Sequence, residues 1–241
     1  MSDAKIRLYL GQGLGEGQTV RLDEAQAHYL FGVMRLVAGG AVLVFDGQSG
    51  EYLAHVTEAG RRGGTLAVGA RTRPLQMPPD LWLLFAPIKK ARTDFIGEKA
   101  AEMGAARIWP VQTDFTNAER IRRDRLQAHA VEAAEQCGGT YVPEVAELER
   151  LSALLDRWPA ERRLMVCDEG RVGEAPALPA ERGAPWAILI GPEGGFSPSE
   201  RARLAALPQA VPVGLGPRIL RADTAAVAAL ALWQNRLGDW Q

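Results

Sequence analysis

Two short segments near the C-terminus constrain the fold more than anything else in the chain. They are Ile190-Gly191-Pro192-Glu193-Gly194-Gly195-Phe196-Ser197-Pro198-Ser199-Glu200 and Leu215-Gly216-Pro217-Arg218-Ile219-Leu220-Arg221. Each follows an apolar run that reads as a strand, Trp186 to Ile190 and Ala210 to Leu215, and each leads into a helix-patterned stretch. Backbone that turns sharply at the end of a buried strand, with free N–H groups and little side-chain bulk, can hold a small molecule against the main chain. Two such turns this close together predict one ligand held between them. Ser197 is placed to cap a helix, Pro198 suits its first position, and Glu200 completes an S-x-x-E capping box. The helix therefore begins directly after Phe196, with its unpaired N–H groups toward the glycine turn. A tight connection without a ligand leaves the same pattern at one turn alone; the pair carries the signal.

At 241 residues, 47% hydrophobic and 24% charged, the chain has the composition of a globular protein with a real core. No apolar run approaches the roughly 18 residues of a membrane span. Met1-Ser2-Asp3-Ala4-Lys5 lacks the apolar core of a signal peptide, so a cytoplasmic protein is expected, with no membrane partner. Cys137 and Cys167 lie far apart and in no metal-spaced motif, and His28, His55 and His129 are dispersed. No metal site is expected, and both thiols should be reduced. Net charge is −1, yet nine basic residues face six acidic ones between Lys89 and Arg125. That local excess suits a structured nucleic-acid target, although a solvated helix face reads the same way.

The chain divides near Arg71-Thr72-Arg73-Pro74-Leu75-Gln76-Met77-Pro78-Pro79-Asp80, which has the prolines of a linker. Strand-like runs before it are Ile6–Leu10, Thr19–Leu22, Ala41–Phe45, Glu51–Val56 and Thr65–Val68, with Asp46-Gly47-Gln48-Ser49-Gly50 as a hairpin loop. One helix fits, capped by Asp23 and running through Arg35, with Ala27, Leu30, Phe31 and Met34 on its buried face. Residues 1–73 thus predict a small closed β-barrel. After it, the runs Leu81–Ala86, Ile108–Val111, Leu164–Cys167, Trp186–Ile190 and Val211–Leu215 are continuously apolar and alternate with helix patterns. The helices are read from about Thr93 to Gly104 and from about Ala118 to Gln136. Strands covered on both faces imply a mostly parallel α/β sheet for residues 74–241. The last segment, Thr224 to Leu237, is apolar nearly all round and predicts a helix buried in a core and in a subunit interface. Gly11-Gln12-Gly13-Leu14-Gly15-Glu16-Gly17 imitates a nucleotide-binding loop, but Gln18–Leu22 reads as a strand where such a site needs a helix.

With these motifs in place, the chain resembles the bacterial 16S ribosomal RNA uridine-N3 methyltransferase family, a branch of the SPOUT superfamily. The likeness runs almost end to end and rests chiefly on Gly191-Pro192-Glu193-Gly194-Gly195-Phe196 and Leu215-Gly216-Pro217-Arg218-Ile219-Leu220-Arg221. Lys99-Ala100-Ala101-Glu102-Met103-Gly104, Ala133-Ala134-Glu135-Gln136-Cys137-Gly138, His28-Tyr29-Leu30 and Val33-Met34-Arg35-Leu36 support it. Two positions depart from the family pattern: Asp223 stands where a Glu is usual, and Gly139 where an Arg is usual. The resemblance implies a PUA-like β-barrel for RNA binding over residues 1–73. Over residues 74–241 it implies a methyltransferase domain whose C-terminal portion forms a trefoil knot. It further implies S-adenosylmethionine as cofactor and a homodimer, with 16S ribosomal RNA in the small ribosomal subunit as partner.

Transfer of a methyl group to uridine N3 requires in-line alignment, loss of the N3 proton and stabilisation of charge on the flanking carbonyls. The expected cofactor contacts are Ile190, Gly191, Pro192, Glu193, Gly194 and Gly195 in the first turn, and Leu215, Gly216, Pro217, Ile219 and Leu220 in the second. Thr224 and Cys167 complete the set, with Cys167-Asp168-Glu169 as a third wall or an exposed acidic turn. Arg221 is the leading catalytic candidate, as a cation that stabilises an ionised uracil or as a loop brace paired with Asp223 or Glu193. Glu193 is read equally as acceptor of the N3 proton or as a brace. RNA contacts are expected at Arg7, His28 and Arg35 in the barrel, with His28 read equally as a packed core histidine, and at Lys89, Lys90, Arg92, Arg120 and Arg122 beyond it. The rival readings are a non-catalytic RNA-binding ribosome-assembly protein and a phosphotransferase. The phosphotransferase lacks the Lys-Ser or Lys-Thr of a P-loop.

Overall fold

The computed structural model describes residues 4–117, 121–168, 170, 173, 178–179 and 182–240. Contacts divide the chain into two compact units, Met1–Met77 with Ala134–Val142, and Pro78–Ala133 with Pro143–Gln241.

The first unit holds β1 (Arg7–Tyr9), β2 (Thr19–Leu22), β3 (Ala41–Phe45), β4 (Glu51–Gly60) and β5 (Gly63–Arg73) in the order β1-β3-β4-β5-β2. Period-2 alternation turns Val42, Val44, Ala54, Val56, Leu66 and Val68 into one core. Gly11–Gly17 leads straight into β2, so no helix follows those glycines. Asp23 and Gln26 form the capping box of α1 (Glu24–Ala27), which continues as a π turn over His28–Val33. The sequence predicts a regular helix with Met34 on its buried face. Instead the Met34 N–H reaches back to Tyr29 O, and this wider turn rotates Met34 outward to 40% exposure. The segment ends at Arg35 with φ 56, while Ala27 and Leu30 still fill the core.

Glu51 organises the rest of this unit. Its carboxylate accepts from Arg7 Nε at 2.8 Å, from Arg73 Nη2 at 2.6 Å and from Thr72 Oγ1 at 2.9 Å. These bonds keep residues 71–73 in β5, where a linker was expected. Arg7 also donates to the carbonyls of Ala134, Glu135 and Gly139, neutralising the end of a helix with a cation. Arg7 is therefore a half-buried structural group and is withdrawn from the RNA contacts.

The second unit contains β6 (Leu81–Phe85), α2 (Lys90–Glu102), β7 (Arg107–Gln112), α3 (Arg123–Cys137), β8 (Glu144–Val145), β9 (Glu149–Arg150) and α4 (Leu151–Asp156). It continues through β10 (Arg163–Cys167), β11 (Trp186–Ile190), α5 (Pro198–Ala206), β12 (Ala210–Val213) and α6 (Ala222–Arg236), with α3 passing between units at Ala133. The strand order is β12-β10-β11-β6-β7-β8, β9 also pairs with β7, and the ladders are parallel. One sheet face presents Leu84, Val111, Val166 and Leu189 to α4 and α5. The alternate residues Leu83, Ile108, Met165 and Ile188 fill the opposite face and are fully buried. α2 begins at Lys90, ahead of the expected Thr93, because the buried Thr93 hydroxyl bonds back to Ile88 and closes the first turn. Among the described residues no helix is long and apolar enough to cross a membrane.

Burial alone would raise the Glu51 carboxyl, but the bonds from Arg73, Arg7 and Thr72 outweigh it and bring it from 4.5 to about 2. A depressed folded-state value gives stability that is complete above the unfolded value and is lost as pH falls between those limits. That interval corresponds to about 3 kcal/mol. In urea titrations followed by circular dichroism, Glu51→Gln should be destabilised at pH 7, and its gap from wild type should narrow as the pH is lowered toward 3. A gap unchanged over that range would show that the carboxylate charge is not what holds β1, β4 and β5 together.

Candidate active site

Parallel pairing puts the carboxyl ends of β10, β11 and β12 on one edge of the sheet, and a cavity of about 230 Å³ opens there. Its walls come from the first glycine turn, the second loop, the end of β10 and the first turn of α6.

Residues 192–195 form a closed turn in which Gly195 N–H donates to Pro192 O at 2.9 Å and Gly195 takes φ 67. The Phe196 ring folds beneath the turn. A Cβ on Gly191 would meet it at 3.0 Å, so a larger residue there would require the ring to give by a few tenths of an ångström. The S-x-x-E box forms as expected: Ser197 Oγ accepts from Glu200 N–H, and Glu200 Oε2 accepts from Ser197 N–H. Asp114, in the loop after β7, accepts from Ser197 Oγ at 2.5 Å and donates its N–H to Glu200 at 2.9 Å. Phe115 beside it lies over Gly194, which is turned away from the cavity. The second loop has Gly216 at φ 102 and carries Ile219, 75% exposed, at the cavity wall.

Of the cofactor contacts read from sequence, Cys167, Ile190, Gly191, Pro192, Glu193, Gly195, Leu215, Gly216, Ile219 and Leu220 line the cavity. Gly194, Pro217 and Thr224 do not. Thr224 is exposed on α6, its N–H held by Asp223 Oδ1 at 3.0 Å. Phe196, Arg218, Ala222 and Ala225 line the cavity without having been singled out. The two alanines follow from helical spacing, since positions three apart in a first turn share a face. Asp168 joins the wall and is paired with Arg201, which also donates to Phe196 O at 3.1 Å. Glu169 lies outside the described residues.

The electrostatics differ from the sequence reading. Arg221 is exposed and pairs with neither Asp223 nor Glu193; Arg92 takes both carboxylates. The shorter Asp223 side chain still brings its carboxylate to 3.6 Å from Arg92 Nε. Gly139, the other departure, contributes a carbonyl to Arg7 at 2.7 Å. Lys89 and Lys90 are exposed at the start of α2, on the same sheet edge as the cavity. Arg122 is exposed and paired with Asp124 at 2.6 Å, and Arg120 lies outside the described residues. His28 and Arg35 are exposed on the first unit, so His28 is not a core histidine. Among the described residues no group of three or more His, Cys, Asp or Glu is arranged to hold a metal ion.

The sequence matches an RNA methyltransferase domain over residues 76–234 and an RNA methyltransferase PUA domain over residues 22–68. The chain belongs to this RNA methyltransferase family. Ribosomal RNA small subunit methyltransferase E of Synechocystis sp. is 31% identical over 220 residues, covering 88% of this chain and 72% of that protein. The crystal structure of a protein of the same name from Neisseria gonorrhoeae, bound to S-adenosyl methionine, is 28% identical. It matches with a TM-score of 0.86 over 98% of this chain and 99% of its own. A structure from Legionella pneumophila with the same cofactor bound is 26% identical, with a TM-score of 0.88 over 97% and 98% of the two chains. The expected α/β unit with a separate PUA-like unit is thus the architecture of RNA methyltransferases of known structure.

The two cysteines of this RNA methyltransferase are both free and should react very differently. Cys137 is exposed, whereas burial pushes the Cys167 thiol up to about 12. Alkylation requires the thiolate. At pH 8 iodoacetamide should label Cys137 in the native protein and spare Cys167 until denaturant is added, as read by peptide mass spectrometry. Rapid native labelling of Cys167, half-buried in the cavity wall, would show that its thiol is not held in the protonated form.

Proposed function

We propose that the protein is an S-adenosylmethionine-dependent methyltransferase that methylates N3 of one uridine in 16S ribosomal RNA, within the assembled small subunit. The observation that carries this reading is the cavity between the two glycine loops, rimmed by the cations Arg218 and Arg221, which have no partner among the described residues. Its donor set suits the cofactor: Ile190, Leu215, Ile219 and Ala225 offer apolar walls to an adenine ring, and the turns offer main-chain groups. S-adenosylmethionine supplies an electrophilic methyl group on a sulfonium centre. Ser-capped α5 and the Asp114 bonds hold the first turn rigid, so that reacting atoms can be kept in line.

Arg221 is free to face the ionising uracil, where its guanidinium stabilises charge on the carbonyl oxygens beside N3 and lowers the cost of losing the proton. Glu193 is already held by Arg92, which favours the bracing role over that of base. Lys89, Lys90 and Arg122 on the larger unit, with His28 and Arg35 on the PUA unit, form the RNA-binding set. The net charge of −1 supports recognition of a particle rather than naked RNA, with shape supplying what charge does not. We further infer a homodimer and a cytoplasmic location. Every residue of α6 from Ala225 to Gln234 is buried or half-buried, and Val227, Ala228, Ala231 and Leu232 form a half-buried apolar stripe suited to a second copy. Sedimentation at micromolar concentration should give the mass of two chains; a monomer would remove the dimer from this reading.

The deciding experiment is mass mapping of ribosomal RNA from cells with and without the protein. One N3-methyluridine in 16S RNA should disappear and return with the wild-type gene; an unchanged map overturns the assignment. Arg221→Ala should lower kcat by about a hundredfold while leaving S-adenosylmethionine affinity nearly unchanged. Gly216→Ala should do the reverse. A side chain at φ 102 strains the loop, and a cost on the order of 1–3 kcal/mol weakens cofactor binding about fivefold to a hundredfold. Calorimetry and single-turnover methylation separate the two effects.

A further inference from the structure

Arg92 stands in the first turn of α2, outside the lining of the cavity, yet it touches both segments that enclose it. Its Nη1 donates to Glu193 Oε1 in the first glycine turn, and its Nε faces Asp223 Oδ2 at 3.6 Å in the first turn of α6, directly after the second loop. The side chains of Arg92, Glu193 and Asp223 are 27%, 50% and 21% exposed, so the cluster sits at the rim rather than in the core.

We propose that Arg92 is a positioning residue: it clamps the two loops at one spacing and thereby sets the affinity for S-adenosylmethionine without taking part in methyl transfer. The inference rests on reading the cavity as the cofactor site. Three physical points carry it. Two carboxylates close enough to share one guanidinium repel each other once it is removed, and that repulsion opens the mouth of the cavity. A planar guanidinium can present Nη1 to one partner and Nε to another, which a single ammonium does less well. The partners also lie at the N-terminal end of α2, whose first turn contains no acidic residue of its own, so the helix dipole favours them there. The first turn is already anchored on its other side by Asp114 and Ser197. The clamp therefore governs where the second loop stands relative to it. Arg92 leaves the set of RNA contacts because its largely covered guanidinium is shared by two carboxylates, whereas the Arg122 pair is open to solvent.

The test is calorimetric titration of S-adenosylmethionine into the full-length protein, without RNA. Wild type is compared with Arg92→Ala, Arg92→Lys, Asp223→Asn and the Arg92→Ala/Asp223→Asn pair, each first shown to unfold cooperatively. Arg92→Ala should bind about tenfold more weakly, equivalent to ~1.4 kcal/mol, and Arg92→Lys should recover part of that loss. Asp223→Asn should be intermediate, and the double variant should lose less than the sum of the singles. Added salt should weaken binding more in wild type than in Arg92→Ala, because a rim-exposed pair is screened. At saturating cofactor, kcat of Arg92→Ala should stay within about threefold of wild type, the split expected when only binding is affected. Affinity within twofold of wild type for Arg92→Ala, or strictly additive losses, overturns the clamp; if RNA affinity alone falls, Arg92 is a phosphate contact instead. Failure of the wild-type protein itself to bind S-adenosylmethionine would overturn the cofactor reading first, and the clamp with it.

Discussion

The parallel direction of every ladder in the larger sheet is the constraint on which the site depends. Parallel strands cannot be joined by hairpins, so each must be followed by a crossover that returns the chain to the same starting edge. All carboxyl ends consequently face one way, so β6, β7, β10, β11 and β12 end along one edge. Crossover helices cover both faces, which is why Trp186–Ile190 is buried throughout and carries no polar residue. The glycine loops are where that buried backbone emerges. They form a cavity because Gly191 accepts the Phe196 ring against its Cα, and because Gly195 and Gly216 take positive φ.

What the amino-acid order disclosed followed the range of the forces involved. The β11 strand and the Ser197 capping box depend on neighbours within a few residues, and both appear where the pattern puts them. β8 and β9, with two residues each, are too short to display any period, and they exist only because β7 offers them an edge. Met34 shows a second kind of limit. Its spacing from Leu30 and Ala27 is helical, but the π turn needs five residues where an α turn needs four, and nothing in the hydrophobic pattern marks the change. Gly194 and Thr224 show a third. Both stand inside motifs that line the cavity, yet each faces away from it because a loop or helix start does not present every residue to one side.

Charge was the least legible property, since an arginine carries no mark of its partner. Arg7 and Arg73 close on Glu51, forty-four and twenty-two positions away along the chain. Arg162 is nearly buried, makes a two-pronged bond to Asp80 at 2.9 Å, and stacks 3.6 Å over Trp82. Arg201 is committed to Asp168, and Arg92 to Glu193 and Asp223. Counting basic residues by position treats these as surface charge. In the folded chain they act as cross-links whose cost of burial is offset by paired carboxylates and carbonyls.

The consequence bears on how an RNA is recognised. With those arginines withdrawn, the cations on this edge of the sheet without a partner among the described residues include Arg218 and Arg221 at the cavity wall and Lys89 and Lys90 at the start of α2. Each phosphate neutralised on a single strand contributes roughly 0.7 to the salt slope of binding, so a handful of cations on a chain of net charge −1 cannot supply tight, indiscriminate attraction. Such a set can instead orient a segment that shape has already presented. The apolar Ile219, standing 75% exposed between Arg218 and Arg221, fits that division of labour. A water-facing isoleucine has no folding benefit where it stands; under the proposed reading it is an apolar wall for the cofactor's adenine, and the two cations beside it are left for the RNA.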